Sequence, residues 1–424
     1  MTYPVERLGN RIYVKGDIAP FHLRKLCARL HGAVEKRGFQ DIILDFSVCD
    51  GITEAVMLPV MPLIAGYRKK GVSFECLLPQ DEKLKRLFLN ANWAHHISPG
   101  DYPRATHEGG HVPALRFGGD ETDGDGMEEA TAILNRVMDM VLGQLAVERT
   151  ALKAVEWSLW EIMDNVANHA ESPVGGFVQA TAYQGMNRVE FVVADAGIGI
   201  PGSMGVRNHA AALLNAINEG VTRDAEKNAG NGLYGSYRVA SLSGGILEIH
   251  SLRGFLLCKP PKGKLPKGEI VNDSEKVPYG GTSVRCGIGL GEGKLLDKAL
   301  QFKGEPHDPP YDHIERRFED DAGHLIFNVK QEARHDLGSR EGGRRIRGII
   351  GNLLRERRPV VLDFDGVSVI SSSFADEVFG RLFVEMGPRA FMKQILMLNV
   401  DVTVEGLIDR AIMQRTKLGN GDAG

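Results

Sequence analysis

The chain has 424 residues, of which 43% are hydrophobic and 25% are charged, and its formal net charge is −4. This length and composition predict an ordinary globular protein of about three domains, and the charge provides no basic field that would favour nucleic acid. Five cysteines without metal-binding spacing predict buried, reduced thiols in a cytoplasmic protein. We expect no secretory signal and no membrane span, because the N-terminal residues lack an apolar stretch and the longest apolar run is short and contains two prolines.

Residues 1–100 are predicted to alternate between strands and helices. The strand-like runs RIYVKG, DIILDFS and VSFECLLP are separated by two helix-like runs. This alternation predicts an α/β layer with parallel pairing. The order resembles the STAS fold of anti-sigma-factor antagonists, whose L-D-L-S strand end is similar to residues 44–47, LDFS. Residues 101–126 are rich in Gly, Asp and Pro, which predicts a linker.

A helix is predicted upstream of residue 170. Apolar residues recur there every three or four positions, at Val155, Leu159, Ile162, Val166 and Ala170. Glu161 and Asn165 then lie on one helix face, next to Asn168. Carboxylate and amide groups in this arrangement can orient a water molecule and hold Mg²⁺, which prefers oxygen ligands. The alternative is a solvated polar face.

A short strand is predicted to deliver Asp195 into a glycine-rich turn. Residues 188–194, RVEFVVA, have a continuous apolar core, and Gly197, Gly199 and Gly202 follow. The glycines fit the G-x-G-x-x-G pattern of dinucleotide folds, but that pattern alone is weak. The charge of Asp195 would repel a pyrophosphate, which argues against a dinucleotide site.

Four segments of the central region together resemble the GHKL ATPases, the group of gyrase, heat-shock chaperone, histidine kinase and mismatch-repair ATPases. The resemblance covers about residues 127–292. It is carried by Glu161-x-x-x-Asn165, Asp195-x-Gly197-x-Gly199, Gly230-x-Gly232-Leu233 and Gly281-Thr282. The resemblance implies an α/β sandwich with a mixed sheet and helices on one face.

The same resemblance implies a role for each box. Glu161 would activate water or a substrate hydroxyl, and Asn165 would hold Mg²⁺ between the phosphates. Asp195 would accept a hydrogen bond from the adenine amino group. The remaining nucleotide contacts would come from Asn168, Gly197, Gly199, Gly230, Gly232, Leu233 and Thr282. Between the glycine boxes, a helical segment tethered by Gly205 and Gly220 is predicted to be a mobile lid.

Within the GHKL group, the helix box EIMDNVANHA is most similar to that of the anti-sigma-factor serine kinases and of relatives of the sensor kinases. Two features differ from the sensor kinases. The upstream helix contains no histidine that could accept a phosphoryl group, and Tyr234 stands in the second glycine box where relatives commonly have glycine.

Residues 312–416 are predicted to form a second STAS-like domain. Residues 362–374, LDFDGVSVISSSF, resemble the STAS phosphorylation segment and align Ser372 with its acceptor serine. They resemble more closely a STAS-like domain of unknown function that is often found with GHKL ATPases. The serines could instead simply cap the next helix. An arginine cluster at the start of the preceding helix could receive a phosphate.

The sequence therefore predicts a regulatory Mg·ATP-binding protein with two STAS-like flanks. It would hydrolyse ATP or transfer a phosphoryl group to a protein serine or threonine, with its own STAS-like domains or a separate regulator as partner. A monomer and a homodimer both stay open. The alternative is a non-catalytic ATP sensor whose lid closure changes partner contacts; a DNA-topology or mismatch-repair role has no support from the charge balance.

Overall fold

The computed structural model describes residues 4–105, 109–120, 126–221, 231–259, 268–270, 277–333 and 336–419. The chain divides into two compact units of mixed α/β structure. Unit 1 comprises Met1–Val137 and Trp157–Asp308, and unit 2 comprises Met138–Glu156 and Pro309–Gly424.

The N-terminal part of unit 1 is a four-stranded open sheet with helices. Its elements are β1 Val5–Leu8, β2 Arg11–Val14, β3 Gly16–Ile18, α1 Leu23–Val34, β4 Asp41–Asp45, β5 Cys49–Ile52, α2 Glu54–Lys69, β6 Ser73–Leu77, α3 Glu82–Asn90 and α4 Trp93–Ile97. The strand order is β1-β2-β4-β6, and the pairs β2–β4 and β4–β6 are parallel, as predicted. The antiparallel β1–β2 hairpin at the edge was not predicted.

The rest of unit 1 is built on a seven-stranded sheet. Its strands are β7 His111–Phe117, β8 Gly176–Tyr183, β9 Arg188–Asp195, β10 Ile246–Leu252, β11 Gly254–Cys258, β12 Gly268–Ile270 and β13 Tyr279–Gly289, in the order β12-β11-β10-β13-β9-β8-β7. Every neighbouring pair in it is antiparallel, so the prediction of a mixed sheet is wrong. Hairpins between consecutive strands, such as β8–β9 and β10–β11, explain the antiparallel pairing.

The predicted linker, residues 101–126, also needs correction. Its residues 111–117 form β7, which pairs with β8 at the edge of the sheet. The strand is HVPALRF, and the glycines and aspartates on either side of it dominate the composition. The apolar residues Val112, Ala114 and Phe117 are buried and account for the strand.

Both faces of the seven-stranded sheet are covered, one of them by α2 of the N-terminal layer. On β9, Val192 belongs to a hydrophobic core shared with α2 and the N-terminal layer. Val193 and Asp195 point to the opposite face, because side chains alternate along a strand. Tyr279 is fully buried, and its hydroxyl lies 3.0 Å from the Pro59 carbonyl of α2 and 3.2 Å from the Asp195 carbonyl.

The opposite face is covered by helices that belong to unit 1 wholly or in part. These helices are α6 Arg149–His169, α7 Gly199–Met204, α8 His209–Ala216 and α9 Gly232–Leu242, and α5 Gly126–Gln144 precedes them in the chain. Unit 1 ends with α10 Leu295–Ala299 and a small hairpin of β14 Gln301–Phe302 and β15 Glu305–Pro306.

Unit 2 contains a three-stranded parallel sheet. Its elements are α11 His313–Phe318, β16 Leu325–Asn328, α12 Val329–Ala333, α13 Arg340–Leu354, β17 Val360–Asp363, α14 Ser372–Ala375, α15 Arg381–Met386, α16 Pro388–Gln394, β18 Ile395–Leu398 and α17 Val402–Gly419, with a π-helical turn at Asp376–Gly380. The strand order is β16-β17-β18.

Asn352 of α13 holds the turn between α5 and α6 within unit 2. Its side-chain amide donates to the carbonyls of Leu142 and Leu145, at 2.8 Å each, and its oxygen accepts from the Val147 N–H at 3.0 Å. The side chain is buried, so these bonds pair three backbone groups that water does not reach.

The described ranges contain no candidate membrane-spanning helix and no disulfide. None of their helices is long and apolar enough to cross a bilayer. All five cysteines lie within these ranges, and each is buried and free, as predicted.

Candidate functional site

Helix α6 brings two of the predicted site residues to one side of the sheet. Glu161 and Asn165 are one turn apart, and the Asn165 amide nitrogen donates to the Glu161 carbonyl at 2.6 Å. This bond fixes the amide, so the Asn165 side-chain oxygen is the atom left to meet a ligand. Burial, assisted by the nearby Asp164 carboxylate, raises the pKa of Glu161 to about 7. A carboxylate with this pKa can exchange a proton near neutral pH.

Asp195 lies at the end of β9 and is 2% exposed. Its Oδ1 accepts from the Gly197 N–H at 2.8 Å and from the Thr282 N–H at 3.3 Å. Burial raises the pKa of Asp195 to about 7, and the two backbone N–H groups oppose that change. Both of these bonds end on Oδ1, so Oδ2 is the carboxylate oxygen available to a ligand.

Two glycines of the predicted boxes lie close to predicted site residues. A Cβ on Gly232 would lie 2.3 Å from the Glu161 carboxylate, so a larger residue there would displace that side chain. Gly281 has φ +117, and a Cβ there would lie 2.1 Å from the Asp195 carbonyl. These two positions therefore set how closely the boxes approach each other.

The boxes meet at one cavity of about 300 Å³ in unit 1. Of the predicted site residues, those that line it are Glu161, Asn165, Asp195, Gly199, Gly232, Leu233 and Thr282. Apolar side chains such as Ile162, Val193 and Val284 form much of the remaining wall. An apolar wall with a few convergent polar groups is typical of a small-molecule site.

Two predicted contacts within the described residues do not line the cavity. Asn168 is exposed, and its amide donates to Asp164 at 2.8 Å. Gly197 contributes through its bond to Asp195 instead. Gly230 lies outside the described residues.

Sequence reasoning missed the aromatic end of the cavity, which is formed by Trp157, Phe302 and His307. The rings of Phe302 and His307 are 5.4 Å apart, and the Trp157 ring lies 6.3 Å from that of His307. The hairpin that carries Phe302 turns at two residues with positive φ, Lys303 and Gly304. A Lys-Gly pair between strands of two residues each gives only a weak sequence signal for such a turn.

The predicted lid contains one short helix, α8, which follows α7, and Gly205 and Gly220 at the ends of the lid both have positive φ. Ser203 and Met204 of α7 and Ala216 of α8 line the cavity. Residues 222–230, which follow, lie outside the described part of the chain.

The serine run of unit 2 begins a helix. Ser371 is the N-cap residue: its hydroxyl accepts from the Phe374 N–H at 3.0 Å and lies 2.9 Å from that of Ser373. Ser372 is exposed at the first helical position. The capping role therefore falls on Ser371, and the Ser372 hydroxyl faces solvent.

The acidic groups that follow Ser372 are paired with arginines. Two bonds from Arg415 hold the pKa of Asp376 below its ordinary value, and Arg340 lies 3.7 Å away. Glu377 is 1% exposed and lies 3.3 Å from Arg347. Arg340 and Arg347 of the predicted arginine cluster are thus already close to carboxylates of this helix.

Comparison with known families identifies part of unit 2. Residues 342–405 match the model of a family described as a STAS-like domain of unknown function (DUF4325). The prediction of a STAS-like domain in the C-terminal region is confirmed to that extent. No curated protein and no solved structure gives a significant match. The resemblance of residues 127–292 to the GHKL ATPases therefore stays a prediction.

Proposed function

We propose that the central region binds Mg·ATP as a GHKL-like domain and uses it for regulatory signalling. The supporting observation is the convergence on one cavity of four boxes that lie between Glu161 and Thr282 in the sequence. Each box contributes at least one lining residue: Glu161, Asp195, Gly232 and Thr282 are examples. Nothing in local sequence spacing requires this convergence.

The proposed base pocket centres on Asp195. Its buried Oδ2 would accept a hydrogen bond from the adenine amino group, and Val193 and Val284 would contact the ring. Bonds to a charged acceptor are roughly twice as strong as those between neutral groups. A bound amino group would also favour the ionised carboxylate and so lower its pKa.

The proposed phosphate region lies along α6 towards Glu161. The described cavity walls contain three carboxylates, from Glu161, Asp164 and Asp195, and no lysine or arginine. A triphosphate would be repelled by them without a cation, so Mg²⁺ is expected to accompany it. Asn165 offers an amide oxygen to the ion, which commonly takes one or two protein ligands and completes its shell with phosphates and water.

In the proposed reaction, Glu161 accepts the proton of an attacking water or hydroxyl. Its pKa of about 7 suits a general base at neutral pH. ATP would supply the phosphoryl group. The acceptor is water or the hydroxyl of a protein serine or threonine, and Ser372 is the candidate within this chain because it is exposed at a helix start.

A second candidate is a non-catalytic ATP sensor. A hydrogen bond between the lid segment and the small hairpin favours this candidate. The Lys303 N–H of the hairpin donates to the carboxylate of Glu219, at the end of the lid segment. Because the lid is bonded to the hairpin, closure of the lid over ATP could move the hairpin without any chemical step.

Glu161→Ala distinguishes the two candidates. An enzyme should lose phosphate release or transfer by at least about a hundredfold, since general-base catalysis is worth about 10²–10⁴-fold, while nucleotide binding persists. The assay follows labelled γ-phosphate, with phosphopeptide mapping of wild type, Glu161→Ala and Ser372→Ala. Label on Ser372 that requires Glu161 supports transfer in cis. Turnover unchanged by Glu161→Ala contradicts the catalytic proposal.

A further inference from the structure

The cavity has two chemically distinct ends. Its wall follows α6 from Trp157 to His169, thirteen residues or about 20 Å of helix, and continues to Ala170. At the Ala170 end, the Ile198 N–H donates to the Ala170 carbonyl at 2.8 Å, which fixes the turn after Asp195 there. Asp195 therefore marks one end, and Trp157, Phe302 and His307 mark the other.

Positive charge is scarce along this cavity. Among the described residues that line it, only His169 and His307 can carry a positive charge. His169 precedes Ala170 directly and so lies at the Asp195 end. His307 is the corresponding group at the Trp157 end, and Trp157 is one helical turn from Glu161 on α6. An imidazole donates hydrogen bonds to phosphate oxygens in either protonation state.

His307 is held in place by the small hairpin. Its N–H donates to the Leu300 carbonyl at 2.8 Å, and its ring packs against Phe302. The Phe302 ring lies 6.2 Å from that of Tyr234, whose hydroxyl accepts from Arg238 at 3.3 Å. The backbone of His307 is thus fixed while its side chain is exposed at the cavity.

The same hairpin is joined to the lid segment. The Lys303 N–H at its turn donates to the Glu219 carboxylate. Glu219 precedes Gly220, which has φ +73 and donates its N–H to the Asn231 side chain at 3.1 Å. A change at the hairpin therefore acts on the residue where the lid segment ends.

We propose that His307 binds the terminal phosphate of the nucleotide and that its hairpin transmits the presence of that phosphate to the lid. This inference rests on the proposed function, because it takes Asp195 as the base end of the site. It adds a phosphate-binding residue from a segment outside all four boxes.

The test compares two nucleotides that differ in the terminal phosphate. Calorimetry with Mg²⁺ measures the affinity of wild type, His307→Ala and His307→Gln for ADP and for a non-hydrolysable ATP analogue. Loss of His307 should weaken the analogue about tenfold and leave ADP within about twofold, since one bond to a charged group is lost. His307→Gln should recover part of the affinity because its amide still donates. His169→Ala, the matched control, should affect both nucleotides equally.

The outcomes distinguish a failure of the His307 proposal from a failure of the proposed ATP site. If wild type binds both nucleotides and His307→Ala weakens them equally or not at all, the phosphate role of His307 is wrong and the ATP site stands. If His169→Ala also weakens the ATP analogue but not ADP, the placement of the base at the Asp195 end and the phosphates at the Trp157 end is wrong. If wild type binds neither nucleotide, both proposals fall. His307 is exposed, and thermal unfolding of each variant checks that the fold is kept.

Discussion

Replacing Asp195 with asparagine should stabilise the ligand-free protein while weakening nucleotide binding. The carboxyl is almost completely buried, and burial raises its pKa from an ordinary value of 3.8 to about 7. The folded state therefore binds more protons than the unfolded state between about pH 4 and pH 7. Stability of the wild type falls as the pH rises through that window.

The magnitude follows from the difference between the two pKa values. About three pKa units correspond to at most about 4 kcal/mol of lost stability above pH 7, since each unit is worth about 1.4 kcal/mol. Solvent entering the cavity would reduce this cost. Asparagine stays neutral, and its oxygen can keep the bonds from Gly197 and Thr282. We expect Asp195→Asn to raise the free energy of unfolding by about 1 to 4 kcal/mol at pH 8 and by less at pH 5.

Denaturant titration at the two pH values measures this effect. All three tryptophans, Trp93, Trp157 and Trp160, belong to unit 1, so their fluorescence reports on the unit that contains Asp195. For the wild type, nucleotide affinity should fall about tenfold between pH 8 and pH 6 as the carboxylate is protonated, and the variant should lose this dependence. A variant destabilised equally at both pH values would refute the assignment of a buried, raised-pKa carboxylate.

Three further variants test other parts of the molecule. Asn165→Ala should abolish the Mg²⁺ dependence of ATP binding, measured by calorimetry with and without the ion, whereas the exposed Asn168→Ala should retain it. Tyr279→Phe removes a buried hydroxyl shared by two backbone carbonyls and should cost about 1–3 kcal/mol in the fluorescence titration; an unchanged midpoint would contradict that role. Asn352→Ala leaves three buried backbone groups unpaired and should lower the stability of unit 2 by about 3 kcal/mol or more, seen as faster hydrogen exchange in α13, whereas the exposed Asn399→Ala should change little.

The parts of the site with strong periodicity could be predicted from the sequence. The apolar spacing around Glu161 predicts helix α6, and the run RVEFVVA predicts β9 and places Asp195 at its end. The pairing of the central sheet could not be predicted in this way, because a short apolar strand fits parallel and antiparallel neighbours alike.

The rest of the site depends on contacts between distant segments. His307 reaches the cavity only because a small hairpin packs against Trp157 and Tyr234, and no local pattern encodes that packing. Strand β7 could not be predicted from composition, because the glycines and aspartates on either side of it are typical of a linker. Ser372 illustrates a third case: the sequence predicts a helix start, but only the structure shows that Ser371 provides the cap.

Base selectivity, measured by calorimetry, is the most direct test of adenine recognition by Asp195. Wild-type protein is titrated in Mg²⁺ with ATP and with ITP, which carries a carbonyl oxygen where adenine has its amino group. The Asp195 carboxylate would accept a hydrogen bond from the amino group and repel the oxygen. We expect one ATP bound per chain and at least about tenfold weaker binding of ITP. Absence of ATP binding, or equal affinity for the two nucleotides, would contradict it.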